Sequence, residues 1–395
     1  MTIADVTARA DSLADRLAVA CAAVEAIEPD DAFDPAAPAA IVASGLHLAA
    51  VPAAFGGGGA GLSDAVRIMT ALGAIDGSTA LGFAMHLHVT GAAAQSTVWP
   101  SALRERLFRA VVDDGALVNA ASTEEGGGSP ARGAIPGTLA TQATPSGPWL
   151  LNGEKTWTTW LPALRYALVS ARVDRPTDPA QSPEVANFLV DLESPGIERL
   201  TGFEAMGMRG SASGRLRLTD VEVPADALLL RRGVTERDPR GPVPGAWFAI
   251  CIASAYLGVG EGAREAVAQW ALDRRPGDGS TAVADLQTIQ LRLGRMDAAL
   301  RTARIVVEDV ARRWDAAPDD AGRSALESDL TLAKLTATNA AALATEEALR
   351  IAGGPGFLSG RLERAFRDAR AGLINPPLDD VALTGFGRAV VARHR

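Results

Sequence analysis

The sequence predicts a multidomain α+β protein in three parts: an N-terminal helical domain over residues 1–115, a middle β-domain over 116–232 and a C-terminal helical bundle over 233–395. Three observations predict it. Larger apolar residues recur at helical spacing up to about residue 112, as at Leu13, Leu17, Val24 and Ile27. From Leu117 the pattern changes to short apolar or alternating runs divided by Gly, Pro, Asn and Asp. Beyond Pro224 helical spacing returns, in long stretches that need bundle packing to persist.

In chain order, a helix over 11–27 gives way at Pro29–Pro38, and a second over 39–49 ends at Val51-Pro52. The run Phe55-Gly56-Gly57-Gly58-Gly59 is a loop, and Ser63-Asp64 reads as the cap of the next helix. The stretch 78–98 is helical and carries His86 and His88, which point to different faces and so do not share a metal. Ser101 opens a further helix through Val112. Strands are expected near 117–119, 137–143, 149–151, 166–172, 187–192, 197–200 and 213–223, with Asn152-Gly153 the strongest hairpin signal. Helices follow over 246–270, 283–314, 324–351 and 379–392, and Gly353-Gly354-Pro355-Gly356 interrupts them before a short basic stretch.

Composition narrows the function. The 48% hydrophobic content supplies sizeable cores, and only 5% aromatic content makes them aliphatic and alanine-rich. With 47 acidic against 38 basic side chains, a formal charge of −9, nucleic-acid binding is disfavoured, while an anionic small molecule held by local arginines is not. Cys21 and Cys251 read as buried small hydrophobes, which supports neither a disulfide framework nor a metal site. No basic region followed by an apolar one opens the chain, so a cytoplasmic protein is expected. The uncharged stretch 242–260 approaches a membrane span in length, but its flanking prolines and glycines, with Glu261 and Arg264 following at once, make it a buried helix.

The stretch from Asn119 to Trp160 joins adjacent hydroxyls and acids, a glycine triplet and the run Trp157-Thr158-Thr159-Trp160. A glycine-rich turn presents backbone N–H groups to anions, and aromatic and hydroxyl side chains suit the face and edge of a planar ring. A surface hairpin accounts for it about equally well. No G-x-G-x-x-G follows a strand, which disfavours a Rossmann site.

Several motifs in order resemble the acyl-CoA dehydrogenase family along almost the whole chain. They are VPAAFGGGGAGLS at 51–63 (without the family's glutamate), TEEGGGS at 123–129, NGEKTWTT at 152–159, GFEAMGMRGSASGRLRLTDVEVP at 202–224, AGGPGF at 352–357 and RAFRDAR at 364–370. The resemblance implies a helical N-terminal domain, a middle antiparallel β-barrel domain and a C-terminal four-helix bundle, with FAD between the last two and a neighbouring subunit binding its distal part. Thr123 and Ser129 then border the flavin, Trp157 stands against its ring, and Thr158 and Thr159 lie near ring atoms, where donors stabilise the reduced flavin. Arg274 falls where an arginine reaches the pyrophosphate across the subunit interface, followed by Gln287. Gly353 and Gly354 match the pair that approaches the adenosine, and Arg350 stands in place of a usual glutamine.

The chain departs from the resemblance at the catalytic base. Where most members carry a glutamate that removes the substrate α-proton, this chain has Pro376, and at a minority's alternative place it has Phe248. Asp379 and Asp380 are the nearest carboxylates, although a pair opening a helix serves more often as first-turn acids. Glu124 and Glu125 sit where equivalents shape the loop. By family frequency the first reading is α,β-dehydrogenation of an acyl-CoA, with Ser129 on the thioester or pantetheine path and an electron-transfer flavoprotein as acceptor. The rival is an oxygenase on the same fold, using O2 and reduced FAD or FMN from a flavin reductase, with His86 near the ring. A non-catalytic flavoprotein subunit is the third. Each implies a homo-oligomer, a dimer or tetramer, acting on a small molecule away from membranes and nucleic acid.

Overall fold

The computed structural model describes residues 12–27, 31–126, 134–144, 146–173, 183–277 and 279–395. The first part comprises α1 (Leu13–Glu25), α2 (Ala36–Ala43), α3 (Leu62–Ile75), α4 (Gly77–Gln95) and α5 (Ser101–Asp114). Ser12 caps α1 reciprocally: its hydroxyl accepts the Asp15 N–H, and the Asp15 carboxylate accepts the Ser12 N–H. Asp76 divides α3 from α4 and caps the latter by accepting the Thr79 N–H at 2.6 Å.

The start of α3 corrects the expected Ser63-Asp64 cap. Gly61 is the N-cap, and Asp315 of α7 (Gln287–Ala316) accepts the N–H groups of Leu62 and Ser63 at 2.9 and 2.8 Å. A cap supplied from so far along the chain leaves no local pattern to read.

The middle part is one eight-stranded sheet of β1 (Val118–Ala121), β2 (Leu139–Gln142), β3 (Trp149–Thr158), β4 (Tyr166–Val173), β5 (Glu184–Asp191), β6 (Ile197–Leu200), β7 (Gly214–Val223) and β8 (Leu228–Gly233). The strand order is β6-β7-β3-β2-β4-β5-β8, with β1 beside β4. The sheet is antiparallel except that β1 and β2 both run parallel to β4, so it is mixed. The reason is topological: β3 hairpins back from β2, and the next reversal sets β4 running with β2. Asn152-Gly153 is not a hairpin turn but lies inside β3, at a register shift against β7. The Asn152 amide donates to Asp220 Oδ1 at 2.9 Å, and its oxygen accepts the Asp220 N–H at 2.8 Å. A Cβ on Gly153 would lie 2.6 Å from Thr138 Cα, so close strand approach is what requires glycine there.

The C-terminal part contains α6 (Val243–Asp273), α7, α8 (Asp320–Ser324), α9 (Glu327–Ala352), α10 (Gly354–Phe357), α11 (Arg361–Ile374) and α12 (Asp379–Ala392). Helices α6, α7, α9 and α11 pack as a bundle around Tyr256, Leu257, Leu300, Ala337 and Ala369. Among the described residues α6 is the one helix long and apolar enough to cross a membrane, but its most apolar window is 83% buried inside the fold. Its apolar surface is therefore consumed by packing, including α3 backbone: a Cβ on Gly258 would lie 2.3 Å from Thr70 O. Helix α11 was expected only as a short basic stretch. Its arginines hide an inner face formed by Ala369 and Gly372.

Candidate active site

The site begins at a defect in β3. The strand bulges against β7 between Lys155 and Thr158, and Trp157 and Trp160 adopt left-handed φ of +58° and +59°. For non-glycine residues such backbone costs roughly 1–3 kcal/mol and persists only where surroundings hold it. Here Ser211 O accepts the Trp160 N–H at 2.7 Å, the Asn119 amide donates to Thr159 O at 3.0 Å, and Thr123 O accepts the Thr156 N–H at 2.8 Å. The bulge turns Trp157 outward, 56% exposed and edge-on to Phe203. It turns Trp160 inward against Gly82 of α4, where any Cβ would strike the indole.

Buried hydroxyls line the other side of the bulge. Thr159 Oγ1 lies 2.9 Å from Ser213 Oγ, which lies 2.8 Å from Ser211 Oγ. Thr158 Oγ1 is buried with no partner among the described residues. An orphaned buried hydroxyl is unfavourable until something meets it. An exposed indole face beside these hydroxyls matches a planar ring with a polar edge, so the residues present fit a flavin. Ser129 lies outside the described residues.

Behind the bulge, Lys155 is fully buried and donates to Glu124 Oε1. Glu124 also accepts the Thr138 N–H and hydroxyl, at 3.0 and 2.6 Å, and the Gly137 N–H. Burial works to raise the Glu124 carboxyl, but hydrogen bonds from Lys155 and Thr138 outweigh it and hold the group below its ordinary value. Burial lowers the Lys155 ammonium. Glu124 therefore anchors the loop as expected of it, and Glu125 is exposed.

The distal residues sit on the C-terminal bundle. Arg274 caps α6 and Gln287 opens α7, both exposed. Arg350 donates to Glu346 at 2.6 Å. Gly353 ends α9 at φ +60°, ψ −138°, a glycine-favouring conformation, and a Cβ on it or on Gly354 would meet nothing within 4 Å. That backbone is open to close approach.

Asp379 Oδ2 accepts the Asn339 amide at 2.8 Å, and its Oδ1 lies 3.7 Å from the Nζ of buried Lys334, which itself donates to Pro377 O at 3.0 Å. Asp380 is exposed in the first turn of α12. His86 has both ring nitrogens engaged: Nδ1 accepts the Val118 N–H at 3.3 Å, so Nε2 carries the proton toward His47 O at 2.9 Å. Burial pushes its pKa down to about 3, and the imidazole stays neutral. His88 packs edge-on to Phe248, ring centroids 5.4 Å apart. Beside Pro376, the Asn375 amide donates to Tyr256 Oη at 2.9 Å.

Sequence reasoning did not single out Asn119, Ser211, Ser213, Tyr256, Asn375 or Asp368. Ser211, Ser213 and Asp368 lay within the quoted 202–224 and 364–370 motifs, so the signal was present but not resolved to side chains.

Two family profiles match the chain: acyl-CoA dehydrogenase, middle domain, over residues 119–221, and acyl-CoA dehydrogenase, C-terminal domain, over 246–375. The chain is 34% identical over 345 residues to the putative acyl-CoA dehydrogenase YdbM of Bacillus subtilis, covering 86% of this chain and 85% of that protein. It is 28% identical to the amino sugar nitrososynthase RubN8 of Streptomyces rubradiris, over 84% of this chain and 77% of the relative. The structure superposes on TdsC from Paenibacillus sp. A11-2, solved with FMN and indole, with TM-score 0.83 at 21% identity, covering 100% of this chain and 97% of TdsC.

Proposed function

The chain belongs to the acyl-CoA dehydrogenase family, and from that premise we propose that this flavin-dependent oxidoreductase oxygenates a small molecule rather than dehydrogenating an acyl-CoA. One observation carries the reading: the two places where relatives hold the base contain Pro376 and Phe248, and the nearest carboxylate, Asp379, is tied to Asn339 beside Lys334. Abstracting an α-proton needs a carboxylate free to face the substrate; one Asp379 oxygen is held by Asn339, and the other, which has no hydrogen bond, lies 3.7 Å from the Lys334 ammonium. RubN8 and TdsC, the latter a dibenzothiophene monooxygenase, support an oxygenase on this fold.

In this reading a bound flavin would supply two electrons to O2, one oxygen atom going to a nitrogen or sulfur of the substrate and the other to water. A flavin reductase supplies those electrons, and two protons complete the balance. Trp157 would pack on the ring, and Thr158, Thr159 and Ser213 would meet its polar edge, with Thr123 bordering it. Trp160 and Phe248 exclude water. Gly353 and Gly354, with Arg350 nearby and Arg274 and Gln287 of a second subunit, would hold the distal half of the cofactor, which would favour FAD over FMN. Exposed Val381, Leu383, Val390 and Val391 on α12 support a homo-oligomer.

The experiment is an anaerobic titration of the flavin-loaded protein with a panel of acyl-CoAs, followed by O2 uptake by chemically reduced protein with amine and thioether substrates. The expected result is no bleaching by any acyl-CoA, with oxygen transferred to a heteroatom. Bleaching by an acyl-CoA would restore the dehydrogenase reading.

A further inference from the structure

We propose that Asp368 is a positioning residue for the hydroxyls that face the ring, acting across the domain boundary through the turn 208–213; the inference rests on the flavin reading above. Asp368 lies on α11, is 4% exposed, and takes no part in the proposed chemistry. Its carboxylate accepts the Met208 N–H. The preceding residue seats the turn on the same helix: a Cβ on Gly207 would lie 2.4 Å from the Arg367 carbonyl carbon and oxygen. Arg367 adds a second strap by donating to Met206 O at 3.0 Å.

The turn that Asp368 holds is strained. Met208 and Ala212, at φ +55° and +42°, flank the single 3-10 turn Arg209–Ser211. Ser211 passes the constraint on twice. Its carbonyl accepts the N–H of Trp160, itself left-handed, and its hydroxyl contacts Ser213, which contacts Thr159. Of the five left-handed non-glycine residues among those described, Met208, Ala212 and Trp160 thus lie along one path from the bundle to the ring-facing hydroxyls, Trp157 stands in the adjoining bulge, and Asp220 lies apart. Strain maintained along such a path is held for placement, and α11 is its anchor.

The charged and titratable groups around Asp368 are Asp76 of α4, Arg364 and Arg367 of α11, and Tyr256 of α6. Arg361 and Arg364 share with Asp76 and Asp368 a cavity of about 20 Å³, room for one water. Burial pushes the Asp368 carboxyl up to about 7, against the opposing Met208 hydrogen bond. The ionised carboxylate is the stronger acceptor, so the Met208 bond itself changes strength through that pH, although burial makes the fold as a whole favour the protonated acid.

The test compares Asp368→Asn, which keeps an acceptor oxygen, Asp368→Leu, which removes it, and Ser213→Ala, which breaks the hydroxyl row alone. Flavin affinity and visible spectrum are read from pH 6 to 8 with FAD, and amide exchange of 157–161 and 208–214 is read with and without flavin. Asp368→Leu should weaken FAD about tenfold or more and speed exchange in both segments. Asp368→Asn should restore affinity but abolish the spectral change with pH. Ser213→Ala should shift the spectrum while leaving exchange at 208–212 unchanged. A wild-type spectrum in Asp368→Leu, or variants that lower only the melting temperature, would overturn the proposal. If the wild type binds no flavin, the functional reading fails separately, and exchange in the flavin-free protein still decides whether Asp368 controls 157–161.

Discussion

Glu124 and Lys155 meet inside the sheet domain, the ammonium fully buried and 2.5 Å from the carboxylate oxygen. A buried pair contributes little net stability over a well-packed apolar pair, but removing one partner strands the other. Lys155→Met should therefore destabilise the protein by about 3–5 kcal/mol in denaturant unfolding. The Gly137–Thr138 loop should loosen with it, because Glu124 holds both.

Stability should fall on acidification because of three histidines. Burial lowers His47 and His88 to about 4 and His86 to about 3, from 6.5, so below pH 6.5 the unfolded chain takes up protons that the fold refuses. Each costs about 1.4 kcal/mol per pH unit down to its folded value. Asp368, raised from 3.8 to about 7, acts oppositely: the fold binds its proton first, so its contribution is lost as pH rises through that window. Between pH 6.5 and 4 the three histidines outweigh the one carboxyl. His86→Gln should flatten the acid limb, as read from unfolding free energies at several pH values.

Two glycines of α4 are seats for indoles. A Cβ would lie 2.0 Å from the Trp160 ring at Gly82 and 2.4 Å from the Trp247 ring at Gly91. Gly91→Ala should cost about 1–3 kcal/mol or more by overpacking. Gln95 is expected to release its bonds to Trp247 and Trp314, now 3.1 and 3.0 Å, as a change in tryptophan fluorescence.

Thr159→Val removes the hydroxyl that joins the row to Ser213 while keeping the side chain's shape. It should weaken FAD binding about tenfold, the loss of a buried hydrogen bond with its partner left unmet, with little change in melting temperature. Equilibrium binding of FAD and FMN measures it. Unchanged affinity for both would remove Thr159 from the flavin site.

Leu383 and Val391 are 55% and 50% exposed on α12. Leu383→Glu with Val391→Glu should lower the oligomeric state in sedimentation velocity if that face is covered by another subunit. The far-UV spectrum should not change.

By itself the sequence determined the order of helices, sheet and bundle, because periods of 3.6 and 2 are properties of local spacing. Its motifs also pointed to Trp157–Thr159 and the glycine pair at 353–354, the residues proposed to meet the flavin. It misread Asn152-Gly153 as a turn, because a dipeptide that favours a hairpin is equally suited to a bulge where Thr138 approaches Gly153. It missed α11, whose arginines mask a narrow inner face. Only the tertiary structure decided that Asp315 caps α3, that Asp379 is bound by Asn339, and that Asp368 holds Met208. Those relations join residues from 40 to 253 positions apart, and packing of whole elements brings their atoms together. No local spacing carries that information.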